Sequence, residues 1–137
     1  MILDKLKRYL HAHRLVDRYI LSSIQVEFSD YATQNNERKP RAFAFVVDRE
    51  FTIFLARQFK ALPARNQLGI LIHEISHINL HTFKDSGVSE VETDLWIEEA
   101  LPEADYGYET VKHPITGRRI KNIQTVSKDF VALITGE

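Results

Sequence analysis

Apolar and polar positions alternate along this chain with changing period, and the period divides it into elements. Over residues 2–22, Leu3, Leu6, Tyr9, Leu10, Val16 and Ile20 recur at roughly helical spacing with charges between them, which predicts an amphipathic helix. "IQVEFSDY" then sets Ile24, Val26 and Phe28 against Gln25, Glu27 and Ser29, the two-residue period of a strand. "TQNNERKP" is a polar loop closed by Pro40. Two short apolar runs, "AFAFVV" and "FTIFLA", flank "DRE" and predict a hairpin over 42–48 and 51–57. Pro63 suits the first turn of a helix running to about His81. After the loop "TFKDSGVS", Ser89 can cap a second helix over 90–100, ended by Pro102. In the tail, "HPITGRR" is a turn. "IKNIQTVSKDFVALI" spaces Ile120, Ile123, Phe130 and Leu133 passably for a last helix.

The order helix, three strands, helix, helix and mixed tail predicts an α+β fold, with a small, mainly antiparallel sheet covered by helices. At 137 residues, without repeats or linkers, the chain is expected to form one domain spanning 1–137. It has no cysteine, so disulfides and thiolate metal sites are excluded, and a bound metal must use His, Asp or Glu. Cysteine-free composition fits a reducing cytoplasm, and no apolar run reaches the roughly 18 residues of a membrane span. A net charge of −1 gives no general attraction to nucleic acid. The charges are uneven: residues 85–105 carry eight acids and no Lys or Arg, whereas residues 5–18 are basic.

"LIHEISHINLH", Leu71 to His81, carries the chemistry. Residues four apart on a helix differ by about 40° in direction and about 6 Å in rise, so His73 and His77 project side by side and can share one ion. Glu74 is turned about 100° away, placed to reach a metal-bound water as general base rather than the metal itself. This is the mechanical content of H-E-x-x-H: two neutral imidazoles on Zn²⁺ beside a glutamate. The competing reading is a buried helix whose histidines are merely hydrogen-bonded. His81 lies about 12 Å from His73 along the axis, too far to share an ion, and is expected at the helix end or behind the ligands.

Catalytic zinc takes three protein ligands, so a carboxylate is expected in "SEVETDLWIEEALP". With Val88, Val91, Leu95 and Trp96 defining an inward sector, Glu92 and Glu99 fall inside it. Glu92 is the first choice and Glu99 the alternative, while Glu90, Asp94 and Glu98 are expected to be solvated.

"LIHEISHINLH…EVETDLWIEEALP" resembles the ImmA/IrrE family of small gluzincin metallopeptidases. There a H-E-x-x-H helix, often with a further His four residues on, precedes a segment of the form E-x-E-A-x-x-F-A leading to a Pro. The glutamate before the Ala is the third ligand in that pattern and maps to Glu92. Thr93 stands for the Ala, Trp96 for the Phe and Ile97 for the second Ala, and the likeness covers residues 68–102. It implies a zincin-like domain that cleaves a protein or peptide substrate, often a helix-turn-helix repressor. No helix-turn-helix is evident in this chain, so direct nucleic-acid binding is not expected.

The function expected is zinc-dependent peptide hydrolysis, with His73, His77 and Glu92 on the metal and Glu74 as base. Tyr106, Tyr108 and His113, which follow the ligand helix, are candidates for an oxyanion donor or an outer partner of the ligands. "FTIFLARQ", 51–58, could offer an edge to an extended substrate. The alternative is a non-catalytic metal-binding or protein-interaction domain on the same fold.

Overall fold

The computed structural model describes residues 2–28, 44–46, 51–80, 87–112 and 119–136. For 44–46, 58, 87–90, 108–112 and 119–124 it describes the backbone alone. The elements are α1 (Ile2–Ala12), α2 (Arg18–Ser23), β1 (Gln25–Phe28), β2 (Ala44–Val46), β3 (Thr52–Leu55), α3 (Ala64–Leu80), α4 (Gly87–Ala100), β4 (Gly107–Lys112), β5 (Arg119–Thr125) and α5 (Lys128–Thr135). Two 3₁₀ turns, Arg57–Ala61 and Pro102–Ala104, precede α3 and follow α4. The fold is mixed helix and sheet, as expected. No helix among the described residues is long and apolar enough to cross a membrane.

The first sheet has the order β1–β3–β2. β2 and β3 form the antiparallel pair expected of a hairpin, with Phe45 opposite Phe54. β1, however, runs parallel to β3, with Val26 opposite Ile53, so this sheet is mixed rather than antiparallel throughout. A second, two-stranded antiparallel sheet joins β4 to β5. Ile53 and Leu55 alternate with half-buried Thr52 and Phe54 and point into the core, which makes β3 the sheet's apolar centre.

α3 is the hub. It packs against β2, β5, α1, α4 and α5, and an unbroken run from Leu68 to Ile78 is buried apart from Glu74. A helix that is apolar nearly all round has to be enclosed in this way. Its start follows the chemistry of proline: the Pro63 carbonyl accepts from the amides of Asn66 and Gln67. Gln67 also donates through Nε2 to the carbonyls of Phe59 and Leu62, 3.1 Å in each case, tying the first 3₁₀ turn to α3.

Three boundaries differ from the sequence expectation. The first helix ends at Ala12: Arg14 takes a left-handed conformation (φ 55°), and Asp17 caps a separate α2 by accepting from the Tyr19 amide at 2.7 Å. Ser89 lies inside α4, which begins at Gly87, so it is not the cap. The tail is a strand and then a helix. Ser127 caps α5 by accepting from the Phe130 amide at 3.1 Å, and residues before it pair with β4. The register shifts between Glu109 and Val111, which face Ile123 and Ile120. A bulge of this kind breaks strict alternation, so the three-residue spacing of Ile120 and Ile123 imitates a helix while belonging to a strand.

Candidate metal centre

Local helix geometry brings His73 and His77 together as the spacing requires. Their Nε2 atoms lie 2.9 Å apart, and the rings meet edge to face at 84°. Both side chains are enclosed, with only 6% and 7% of their residues exposed. Each ring's other nitrogen faces a different element. His73 Nδ1 is 3.2 Å from the Tyr106 hydroxyl and 3.6 Å from Asp94 Oδ1. His77 Nδ1 is 3.3 Å from Thr93 Oγ1. The pair is thus gripped from outside by α4 and by the residues following the second 3₁₀ turn. Asp105, left-handed at φ 49°, ends that turn and redirects the chain into Tyr106. Aspartate is one of the few non-glycine residues that tolerate this conformation.

A 2.9 Å separation between two ring nitrogens needs a positive atom between them, because two lone pairs facing each other repel. A neutral imidazole carries one N–H, so either one Nε2–H donates to the other ring or a cation is shared. Two nitrogens each about 2.0–2.1 Å from one zinc ion would lie about 2.9 Å apart at a right angle and about 3.3 Å apart at the tetrahedral angle. The arrangement therefore fits a shared zinc with little movement. Outward engagement of both Nδ1 atoms also fits, since ligating histidines commonly donate their second N–H to a neighbouring oxygen.

Glu74 follows His73 on α3 and is half-buried, a quarter turn away from the ligand direction. The acids of α4 do not lie as the helical wheel expected. Val91 and Leu95, which anchored the inward sector, are each 58% exposed, whereas Thr93, Ile97 and Leu101 are buried. The buried face is therefore on roughly the opposite side of the helix, and Glu92 and Glu99 are exposed. The carboxylate that the fold does bring to the histidines is Asp94, half-buried and beside the back of the His73 ring. Glu98 is exposed, as expected. Among the described residues, no three His, Asp or Glu gather into one ligand group.

Of the tyrosines, Tyr106 meets His73 at Nδ1, the side turned away from His77. Tyr108 stands in β4 with its side chain outside the described residues; His81 and His113 lie outside them altogether. Among the described strands β3 is central, paired on both sides, so within the expected edge 51–58 the strand Thr52–Leu55 has no free edge. Of the two outer strands described, β2 packs against α3.

Thr93 and Asp94 are the site residues that the sequence reading passed over. The available signal was the spacing of Thr93, Ile97 and Leu101, which share one helical face with a polar residue at its head.

No protein-family model matches the sequence, and no curated protein or solved structure is significantly similar to it.

Proposed function

We propose that the chain is a zinc-dependent peptidase of the gluzincin type with a zincin-like fold, in keeping with its likeness to the ImmA/IrrE family. The observation that carries this reading is the pair of converging Nε2 atoms, 2.9 Å apart, with both Nδ1 atoms engaged from behind. A glutamate next to the first histidine completes the chemistry. His73 and His77 would hold the ion through Nε2. When bound, the metal supplies a water acidic enough to be deprotonated near neutral pH and a Lewis acid for the scissile carbonyl. Glu74 would be the base at that position, able to take a proton and return it to the leaving amine. Asp94 and Tyr106 orient His73, and Thr93 orients His77. The substrate is a protein or peptide, and the family likeness makes a regulatory protein such as a repressor the first candidate.

The test is Glu74→Gln. The variant should bind zinc as the wild type does and cleave nothing, and proteomes of cells carrying the two forms should differ in the substrate. Cleavage by Glu74→Gln would remove the assigned base, and a wild-type chain that binds no zinc would end the reading.

A further inference from the structure

The acidic and the basic segments of this chain fold into two exposed faces that complement each other. Among the described residues, four large apolar side chains are more than half exposed: Tyr19, Val91, Leu95 and Leu133. Single exposed apolar residues are ordinary. Val91 and Leu95, however, stand one turn apart on α4 and form an outward stripe, opposite the buried Thr93 and Ile97. Helical spacing puts Glu98 on one flank of this stripe and Glu92 and Glu99 on the other, and all three are exposed. No Lys or Arg between residues 85 and 105 balances them.

The second face is a groove of about 370 Å³ between α1 and the end of α5. Lys5 and Arg8 line one side of it, Leu133 and Ile134 the other, with Tyr9 between α1 and α5. Leu133 is the exposed apolar residue here, and both cations are exposed beside it. The Lys5 ammonium donates to the Thr135 carbonyl at 3.3 Å, which holds one cation at the rim. An apolar centre with a cationic rim suits an apolar centre with an anionic rim.

Both faces belong to one chain, so every copy carries what another copy needs. Both are exposed in the folded chain, so they do not satisfy each other within one molecule. The net charge of −1 gives no general pull on an outside polyion, so the segregated charges favour a partner segregated in the same way. We propose that the chain associates head to tail with a second copy of itself. The Val91–Leu95 stripe of one copy seats against Leu133 in the groove of the next, and Glu98 and Glu99 meet Lys5 and Arg8. Because the two faces are unlike, the contact is heterologous, and a pair keeps one free face of each kind for further copies. Zinc is not needed for this contact, which uses none of the residues that surround His73 and His77.

The experiment is sedimentation velocity of the full chain with excess chelator present, so that metal bridging contributes nothing. The mass should rise above the 15.9 kDa of the single chain as concentration increases. It should fall back toward that value between about 0.05 M and 0.5 M salt, which screens the charged rim. Arg8→Glu alone, or Glu98→Arg with Glu99→Arg, sets like charges against each other and should weaken association about 10–100-fold. Leu95→Ala should weaken it roughly fivefold through the lost apolar centre. Mixing the Arg8→Glu chain with the Glu98→Arg/Glu99→Arg chain restores opposite charges at every contact and should restore association, which also shows that both variants are folded. A wild type that stays at 15.9 kDa at every concentration overturns the proposal. So do charge-reversed chains that associate as the wild type does, and a mixture that stays apart.

Discussion

The Tyr9 hydroxyl donates to Glu103 Oε1 at 2.5 Å, linking α1 to the 3₁₀ turn that leads into Tyr106. Tyr9 also stacks on His13 and meets Phe130 of α5 edge-on, with ring centroids 5.4 Å apart. Burial and the adjacent carboxylate raise its phenol pKa from 10.0 to about 12. A group whose folded-state pKa is raised stabilises the fold fully below its unfolded pKa and loses that contribution as pH rises through the folded value. Stability should therefore fall between about pH 10 and 12 through Tyr9. Tyr9→Phe should flatten that part of the profile and cost about 1 kcal/mol at neutral pH, as measured by urea denaturation across the range.

Zinc that binds only the folded chain should stabilise it. At a hundred times its Kd the gain is about 2.7 kcal/mol, which raises the melting temperature of a domain this size by about 10 °C. Thermal melts with zinc and with excess chelator measure it. Coincident curves would count against the metal centre.

The orientation of α4 separates two carboxylates. Asp94→Asn should weaken zinc binding roughly tenfold, because it removes the charge beside His73 Nδ1. Glu92→Ala should leave affinity unchanged, because position 92 is on the exposed side. Zinc titration of the two variants decides between these positions, and a large loss in Glu92→Ala alone would restore the original wheel.

The same orientation has a signature in stability. Ile97 is fully buried, and Ile97→Ala should cost about 2–5 kcal/mol. Leu95, 58% exposed two residues away, should tolerate alanine within about 0.5 kcal/mol. Denaturation midpoints of the two variants should differ accordingly.

The histidine pair was legible in the sequence because it depends on one helix alone: four-residue spacing on a strongly apolar segment fixes both the helix and the convergence of the rings. What grips the pair was not legible, because α4 inverts the usual rule. Its apolar Val91 and Leu95 face outward while Thr93 turns in, so a wheel weighted by hydrophobicity points the wrong way. Position 93 is buried because it meets an imidazole, a tertiary fact. The first helix was overextended because nothing in the apolar spacing marks the left-handed Arg14. The last strand read as helix because a bulge displaced its isoleucines from strict alternation. The parallel β1–β3 pairing depends on the path from β1 to β2, which no local pattern encodes.

Residues 126 and 127 join parts of the chain that are far apart in sequence. The Arg65 side chain donates to the Val126 carbonyl at 2.9 Å, and the Ser127 amide donates to the Ala104 carbonyl at 2.8 Å. One of these bonds holds the start of the histidine helix, and the other holds the turn from which Tyr106 departs. On the ribosome both histidines are made some fifty residues before this fastening can close. A nascent chain stopped short of Val126 would display His73 and His77 without the anchored support behind them.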